Sequence, residues 1–220
     1  MDRKIETVIL MLLACGIALS VAAHLFAVFP FDLKVTHELQ ELQNPTFAAA
    51  MVVISALGGP FFEVALIGLA TLFFLVRRMW TEAVFVMATV SSLVLTAVLK
   101  VLVGRPRPPL YPQSPFDLFL AVNQYSFPSG HVLFFVVFFG FLGYLGWVHL
   151  SGLPRLAVVG VCTFLIVAIA PSRIFLGAHW ASDVIGSYVI GTLLLVILVL
   201  LYQHAVQCKI FVTIRPCNPR

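Results

Sequence analysis

Charge is what this sequence lacks. Only 10% of its 220 residues are Asp, Glu, Lys or Arg, against roughly 25% in a soluble domain, and that deficit excludes an ordinary water-soluble fold. Long polar stretches are equally scarce: the first half holds one, FDLKVTHELQELQN at residues 31–44. Cysteine is sparse and unpatterned. Cys15 and Cys162 sit inside apolar runs and Cys208 and Cys217 near the C-terminus, with no CxxC or metal-ligand spacing, so they read as buried small hydrophobes and cytosolic thiols. No internal repeat is evident, and no nucleic-acid partner follows from a formal net charge of +4. In such a chain the side on which basic residues fall matters more than their sum.

What is present is apolar length. With 61% hydrophobic residues and about 20 residues needed per crossing, the chain predicts an all-α, polytopic bundle of six transmembrane helices. It has no separate soluble domain, so residues 1–220 form one membrane-embedded unit. The expected spans are 5–29, 61–76, 80–101, 131–150, 155–171 and 181–203. Arg3 and Lys4 before an apolar run, with small residues at Ser20-Val21-Ala22, resemble a cleavable signal. The run continues to Phe29, however, and is long enough to act as an uncleaved anchor closed by Pro30.

Residues 31–44 interleave Phe31, Leu33, Val35, Leu39 and Leu42 with polar positions, the pattern of a short interfacial helix with a structural role. Residues 45–57 are too short to span and are interrupted by Gly58-Gly59-Pro60, which predicts a half-buried helix leading into the second span. The longest loop, 104–128, opens Gly104-Arg105-Pro106-Arg107-Pro108-Pro109. Repeated prolines make it stiff and non-helical, able to hold arginine heads in place. Residues 204–220 are expected to be a cytoplasmic tail.

Six spans put both termini on one side, with eight of the thirteen basic residues: Arg3, Lys4, Arg77, Arg78, Arg155, Lys209, Arg215 and Arg220. That side is therefore cytoplasmic and the chain belongs in the cell membrane. Lys34, Lys100, Arg105, Arg107 and Arg173 fall on the extracytoplasmic side.

Most function-capable side chains gather at that outer rim. The island Ser172 to Asp183 lies between two apolar runs, with His179 and Asp183 four residues apart. If a helix opens there, the carboxylate can hold one ring nitrogen while the other faces a substrate. Lys100, Arg107 and Arg173, at the ends of different helices, converge only around something strongly anionic, and a phosphate satisfies that. Ser129, Gly130 and His131 open the fourth span. Gly130 and His131 there supply backbone N–H groups and a helix dipole to the same anion, and Ser129 can cap the helix, donate to the phosphate, or both. His179 can then attack phosphorus while His131 protonates the departing oxygen and later activates water. No metal or other cofactor is required. Glu63 carries two readings: a carboxylate in the first turn after Pro60, stabilised by the helix dipole near the interface, or a group in the substrate pocket.

The spacing Lys100-x6-Arg107-Pro108, then Pro128-Ser129-Gly130-His131, then Ser172-Arg173-x5-His179-x3-Asp183 resembles the complete three-part signature of the type-2 phosphatidic acid phosphatase family. The likeness runs from about residue 32 to 203. It implies Lys100, Arg107 and Arg173 as phosphate ligands, Ser129 and Gly130 as phosphate-positioning groups, His131 as acid, His179 as nucleophile and Asp183 as its partner. Metal-independent turnover of a lipid phosphate at the outer face of the membrane is the implied activity. Arg105 falls at a variable position of the first motif and is left outside the site, as a headgroup contact or interfacial anchor.

Three rivals compete with this reading. A metal held by two histidines and a carboxylate would have to coexist with Lys100, Arg107 and Arg173, which repel it. A vanadate-using haloperoxidase shares the pocket, but that branch is soluble. A lipid or anion transporter places its polar groups near the bilayer midplane rather than at one rim. Undecaprenyl diphosphate, phosphatidic acid, phosphatidylglycerophosphate and lipid A phosphates all fit the rim, as does phosphotransfer to a second lipid. The sequence points to no obligatory protein partner.

Overall fold

The computed structural model describes residues 3–42, 44–109 and 124–214, with side chains described to residue 208. Residues 110–123 of the proline-rich loop, the end of the tail at 215–220, and with them Cys217, lie outside the described residues.

Among the described residues there is no named strand, and the chain folds as nine helices: α1 (Arg3–Leu25), α2 (Pro30–Gln40), α3 (Pro45–Ala56), α4 (Pro60–Val76), α5 (Trp80–Ala88), α6 (Ser91–Val103), α7 (Gly130–His149), α8 (Gly152–Phe175) and α9 (Ala181–Ile214). Arg3–Leu25, Trp80–Val103, Gly130–His149, Gly152–Phe175 and Ala181–Cys208 are each long and apolar enough to cross a membrane. The pair α3 and α4, bent by 62°, makes a sixth crossing if taken as one broken span. The all-α membrane bundle is therefore as expected, with the short helix and Gly-Gly-Pro elbow before α4 where the sequence places them.

Helix α7 is the axis of the bundle. Its sequence is apolar all round, which suits a helix enclosed by others rather than one facing lipid with one stripe, and Val132 through Phe139, Phe141 and Leu145 are all buried. Helices α8 and α9 pack along it, α6 closes another side, and α1 lies against α9. Aromatic rings fill the centre, with Phe134 stacked on Phe138 at 5.1 Å and Phe141 set edge-on to Tyr202 at 5.7 Å. At the end away from Lys100, Glu82 accepts the Tyr202 hydroxyl at 2.9 Å and lies 3.4 Å from His149.

Several boundaries differ from expectation, each for a local reason. The third span is broken at Thr89 and Val90 rather than continuous. Thr89, Ser92 and Thr96, buried in that span, turn their hydroxyls back onto the carbonyls of Val86, Thr89 and Ser92, a bonding mode that bends helices. The fifth span does not stop at Pro171: α8 runs from Gly152 to Phe175 with the proline inside its last turns. The sixth span does not stop at Gln203, because α9 continues to Ile214. Cys15 is exposed on the outer apolar surface rather than buried. Helix α2 starts one residue early, at Pro30, and the residue it buries is Asp32, while Phe31 and Leu33 are exposed.

One glycine shows how tightly the site end is packed. A Cβ on Gly186 of α9 would lie 2.3 Å from Cε2 and 2.7 Å from Cζ of the buried Phe127. Gly-to-Ala changes inside helices ordinarily stabilise by ~1 kcal/mol. Here overpacking reverses the sign, and Gly186→Ala is expected to destabilise by roughly 1–3 kcal/mol, seen as a lower melting temperature in detergent; an unchanged or higher one would contradict the packing.

Candidate active site

The end of the bundle where α6 and α8 finish and α7 and α9 begin collects the polar side chains. Lys100 occupies the last turn of α6 and is buried. Gly104 then takes φ +66°, a left-handed conformation that ends the helix and that L side chains adopt at a cost. The turn sends Arg105 and Arg107 back across the bundle. Arg107 donates to the Ala178 carbonyl at 2.8 Å, and Trp180 returns its indole N–H to the Pro106 carbonyl at 3.2 Å. First-motif loop and third-motif turn are thus stitched together.

Arg173 sits in the last turn of α8 and donates to the Ser55 hydroxyl. Its own carbonyl accepts the N–H groups of Ala178 at 3.0 Å and His179 at 3.3 Å. Gly177, at φ +64°, makes that reversal possible. His179 therefore lies in the turn before α9 rather than inside the helix that its spacing to Asp183 predicts, and its backbone is fixed by the residue that carries the third cation.

His131 is the second residue of α7, after Ser129 and Gly130. Ser129 is the N-cap by position, but its side chain makes no capping hydrogen bond. Instead its backbone N–H donates to Ser187 at 2.7 Å, and its buried hydroxyl has no partner among the described residues. A buried hydroxyl without a partner costs about 1–3 kcal/mol, so it is suited to receive a ligand atom. The His131 ring lies against the elbow between α3 and α4: a Cβ on Gly58 would lie 2.5 Å from its Cδ2. The charges of Arg173, Lys100 and Arg107, and the ring of His179, all bear on His131. The same three cations bear on His179.

His179 is buried. Burial first, then the charges of Arg107, Arg173 and Lys100, hold its imidazole well below the ordinary value of 6.5, with the Ser126 backbone pulling the other way. The ring is therefore neutral at physiological pH, the state a nucleophile requires. Its Nδ1 faces Asp183 Oδ2 at 3.8 Å, close enough for an ion pair but long for a hydrogen bond, and Nδ1 has no other partner among the described residues. Contacts of this kind commonly shorten when the reacting group is seated.

Asp183 is itself saturated with donors. The Ser126 hydroxyl and the Trp180 N–H, the latter at 2.9 Å, reach Oδ2, while Arg105 reaches Oδ1 at 2.5 Å. Arg105 is thus neither a headgroup contact nor an interfacial anchor. It is 1% exposed, and it also binds Asp32 at 2.8 Å, Ser182 at 2.6 Å and the Ala27 carbonyl at 3.0 Å, with its guanidinium 5.1 Å from the Phe29 ring. An arginine flanked by prolines in a loop reads as exposed. Burying it here takes two carboxylates, one of them from α2.

Lys100, Arg107, Ser129, Gly130, His131, Arg173, His179 and Asp183 are thus brought to one end of the bundle. Asp32, Ser55, Gly58, Ser126 and Ser182 join them, although no motif marks them. The one signal for Asp32 was an acid two residues after the proline that opens a helix, which here accepts the Phe29 N–H at 3.1 Å. Glu63 lies in the first turn of α4, buried, where the charges of Lys100 and Arg173 reach it. Among the described residues, no three His, Cys, Asp or Glu side chains are grouped as metal ligands.

Comparison with known proteins adds to this geometry. The family model of the PAP2 superfamily matches residues 80–207. A phosphatidylglycerophosphatase B of Bacillus subtilis is 28% identical over 180 residues, covering 80% of this chain and 85% of that protein. An undecaprenyl-diphosphatase of Sulfolobus acidocaldarius is 25% identical over 162 residues, 74% of each. The crystal structure of a transmembrane PAP2 type phosphatidylglycerolphosphate phosphatase from Bacillus subtilis superposes with a TM-score of 0.71 at 26% identity, covering 86% of this chain and 93% of that one. The fold is shared as well with Aquifex aeolicus LpxE, at a TM-score of 0.56 and 19% identity over 80% and 96% of the two chains.

Proposed function

Because this chain belongs to the PAP2 superfamily and is a membrane lipid phosphate hydrolase, we propose that it removes the terminal phosphate of phosphatidylglycerophosphate through a phosphohistidine at His179. The observation that carries the chemistry is convergence: Arg107, Arg173 and Lys100, from three separate segments, act on both His179 and His131. Three fixed cations around two imidazoles suit a phosphoryl group passing between them.

In this reading Lys100, Arg107 and Arg173 bind the phosphate oxygens. The Ser129 hydroxyl and the Gly130 N–H at the start of α7 hold another oxygen at the positive end of the helix. The Nδ1 of His179 is turned to Asp183, which leaves Nε2 for phosphorus. The Nε2–P bond forms as the P–O bond to the lipid breaks, and His131 gives its proton to the departing oxygen. Water then attacks phosphorus, His131 takes its proton, the P–N bond breaks, and neutral His179 is restored with inorganic phosphate released. No step is routed through a metal, since a dication here would face three positive side chains.

What supports this substrate is that the phosphatidylglycerophosphatase B matches at higher identity, over more of both chains, than the undecaprenyl-diphosphatase. Undecaprenyl diphosphate is the second reading, and the Sulfolobus relative supports it. The whole chain acts as one membrane-embedded unit, its termini cytoplasmic and its site on the outer face. Phosphate release from a panel of phosphatidylglycerophosphate, phosphatidic acid, undecaprenyl diphosphate and lipid A, in detergent with a strong chelator present, tests this. The expected result is fastest turnover of phosphatidylglycerophosphate at a rate the chelator does not change. Preference for another lipid overturns the substrate assignment, and loss of activity on chelation overturns the metal-free chemistry.

A further inference from the structure

The cluster behind His179 contains more acid than an orienting partner needs. Asp32 accepts four donors: the Phe29 N–H at 3.1 Å, the Ser182 N–H at 2.8 Å, the Ser182 hydroxyl at 2.8 Å and Arg105 at 2.8 Å. Asp183 accepts from Arg105, Ser126 and Trp180. Every one of these contacts comes from a donor, and each carboxylate takes one nitrogen of the same guanidinium. Two carboxylates therefore share one guanidinium, all three side chains buried, and one negative charge is left over. Leaving it there is costly unless something balances it.

The balance lies across the 3.8 Å gap, where Nδ1 of His179 faces Asp183 without a hydrogen-bond partner among the described residues. We infer that Asp32 and Arg105 are positioning residues for the phosphoryl transfer, setting through Asp183 a surplus negative charge that favours cationic character on His179 as its Nε2–P bond forms. Burial and the charges of Arg107, Arg173 and Lys100 keep it neutral beforehand. Arg105 does the geometric part, holding Asp183 by one nitrogen and Asp32 by the other, so that the carboxylate cannot swing away. Asp32 keeps the guanidinium from neutralising Asp183 outright. Helix α2, with Lys34, His37 and Glu38 on its exposed face and Glu41 just after its end, thereby contributes to the chemistry from outside the stretch that matches the family model.

This inference rests on His179 as the nucleophile, so the test begins with His179→Ala. If that variant stays active, the nucleophile assignment fails and this inference with it. If it is inactive, the informative variants are Asp32→Asn and Arg105→Gln, with Ser182→Ala carrying the test should either fail to fold. Asp32→Asn is expected to lower kcat by about 10-fold to 100-fold, the scale of outer partners at other sites, with KM within a few fold. The charged or titratable groups that bear on His179 are Lys100, Arg107, Arg173, Asp183 and His131, with Arg105 and Asp32 behind Asp183. Of these, Asp32→Asn removes a negative charge and Arg105→Gln a positive one. The acid limb of kcat/KM set by His179 should move down by about 0.5–1 pH unit in the first and up by a similar amount in the second. Ser182→Ala cuts the hydroxyl bridge and should lower kcat without changing KM. Opposite shifts are not expected of a merely structural cluster. Wild-type kcat in folded Asp32→Asn, or limbs that move together or stay put, would overturn the inference while leaving the nucleophile in place.

Discussion

His179→Ala is expected to slow phosphate release by at least ~10³-fold, since losing a nucleophile that works as part of a unit removes nearly all the catalysis the unit supplies. Lipid binding should persist, because the cations that would hold the phosphate come from α6, the loop after it and α8. The measurement pairs inorganic phosphate release with equilibrium binding of the same short-chain lipid phosphate. In the wild type, acid-labile and alkali-stable behaviour separates a phosphohistidine from a phosphoserine, and rapid quenching with a labelled phosphate should trap the former. Comparable turnover by the mutant, or a trapped phosphate elsewhere, removes His179 from its role. Turnover by the wild type that is lost in the mutant while binding is kept is also a result that a pure transporter could not produce.

His131→Ala should cost about 10²–10⁴-fold, the range for a lost general acid and base, and the loss should depend on the leaving group. A departing alkoxide of high pKa needs its proton in the transition state, whereas a departing phenolate does not. The deficit should therefore shrink for an aryl phosphate and be largest for the lipid. Dephosphorylation still requires a base to take a proton from water, so with the aryl substrate the mutant should accumulate phosphoenzyme. A deficit equal for both substrates would make His131 a binding group instead. The Gly58 backbone lies so close to this ring that a Cβ would meet it at 2.5 Å, which leaves His131 little freedom on that side.

The residues that motif spacing brings forward were legible because charged groups are rare in so apolar a chain: a lysine at the end of a membrane helix is expensive to bury unless it serves a function. The helices were legible for a similar reason, since apolar length leaves few alternatives. What the sequence did not expose depends on tertiary partners. Arg105 lies 73 residues from Asp32 and 78 from Asp183, and nothing local in its proline-rich setting foretells burial between two acids. Ser55 gains meaning only when α3 lies against α8 and meets Arg173. The Thr89 break arises from hydroxyl groups that composition treats as minor polar residues in an apolar run. Continuation of α8 through Pro171 is also tertiary, with the end of α8 held by Gln40 on the Phe175 carbonyl at 3.2 Å.

That dependence reaches into how such a protein can be recombined. Asp32, Gln40, Ser55 and Gly58 all precede residue 80 and all touch parts of the catalytic end. A hybrid that takes its first 79 residues from another phosphatase is not exchanging a passive anchor. It inherits whatever that donor places opposite Arg105, Arg173 and His131, and it will work only where the donor supplies an acid, a hydroxyl and a bare backbone at those three points.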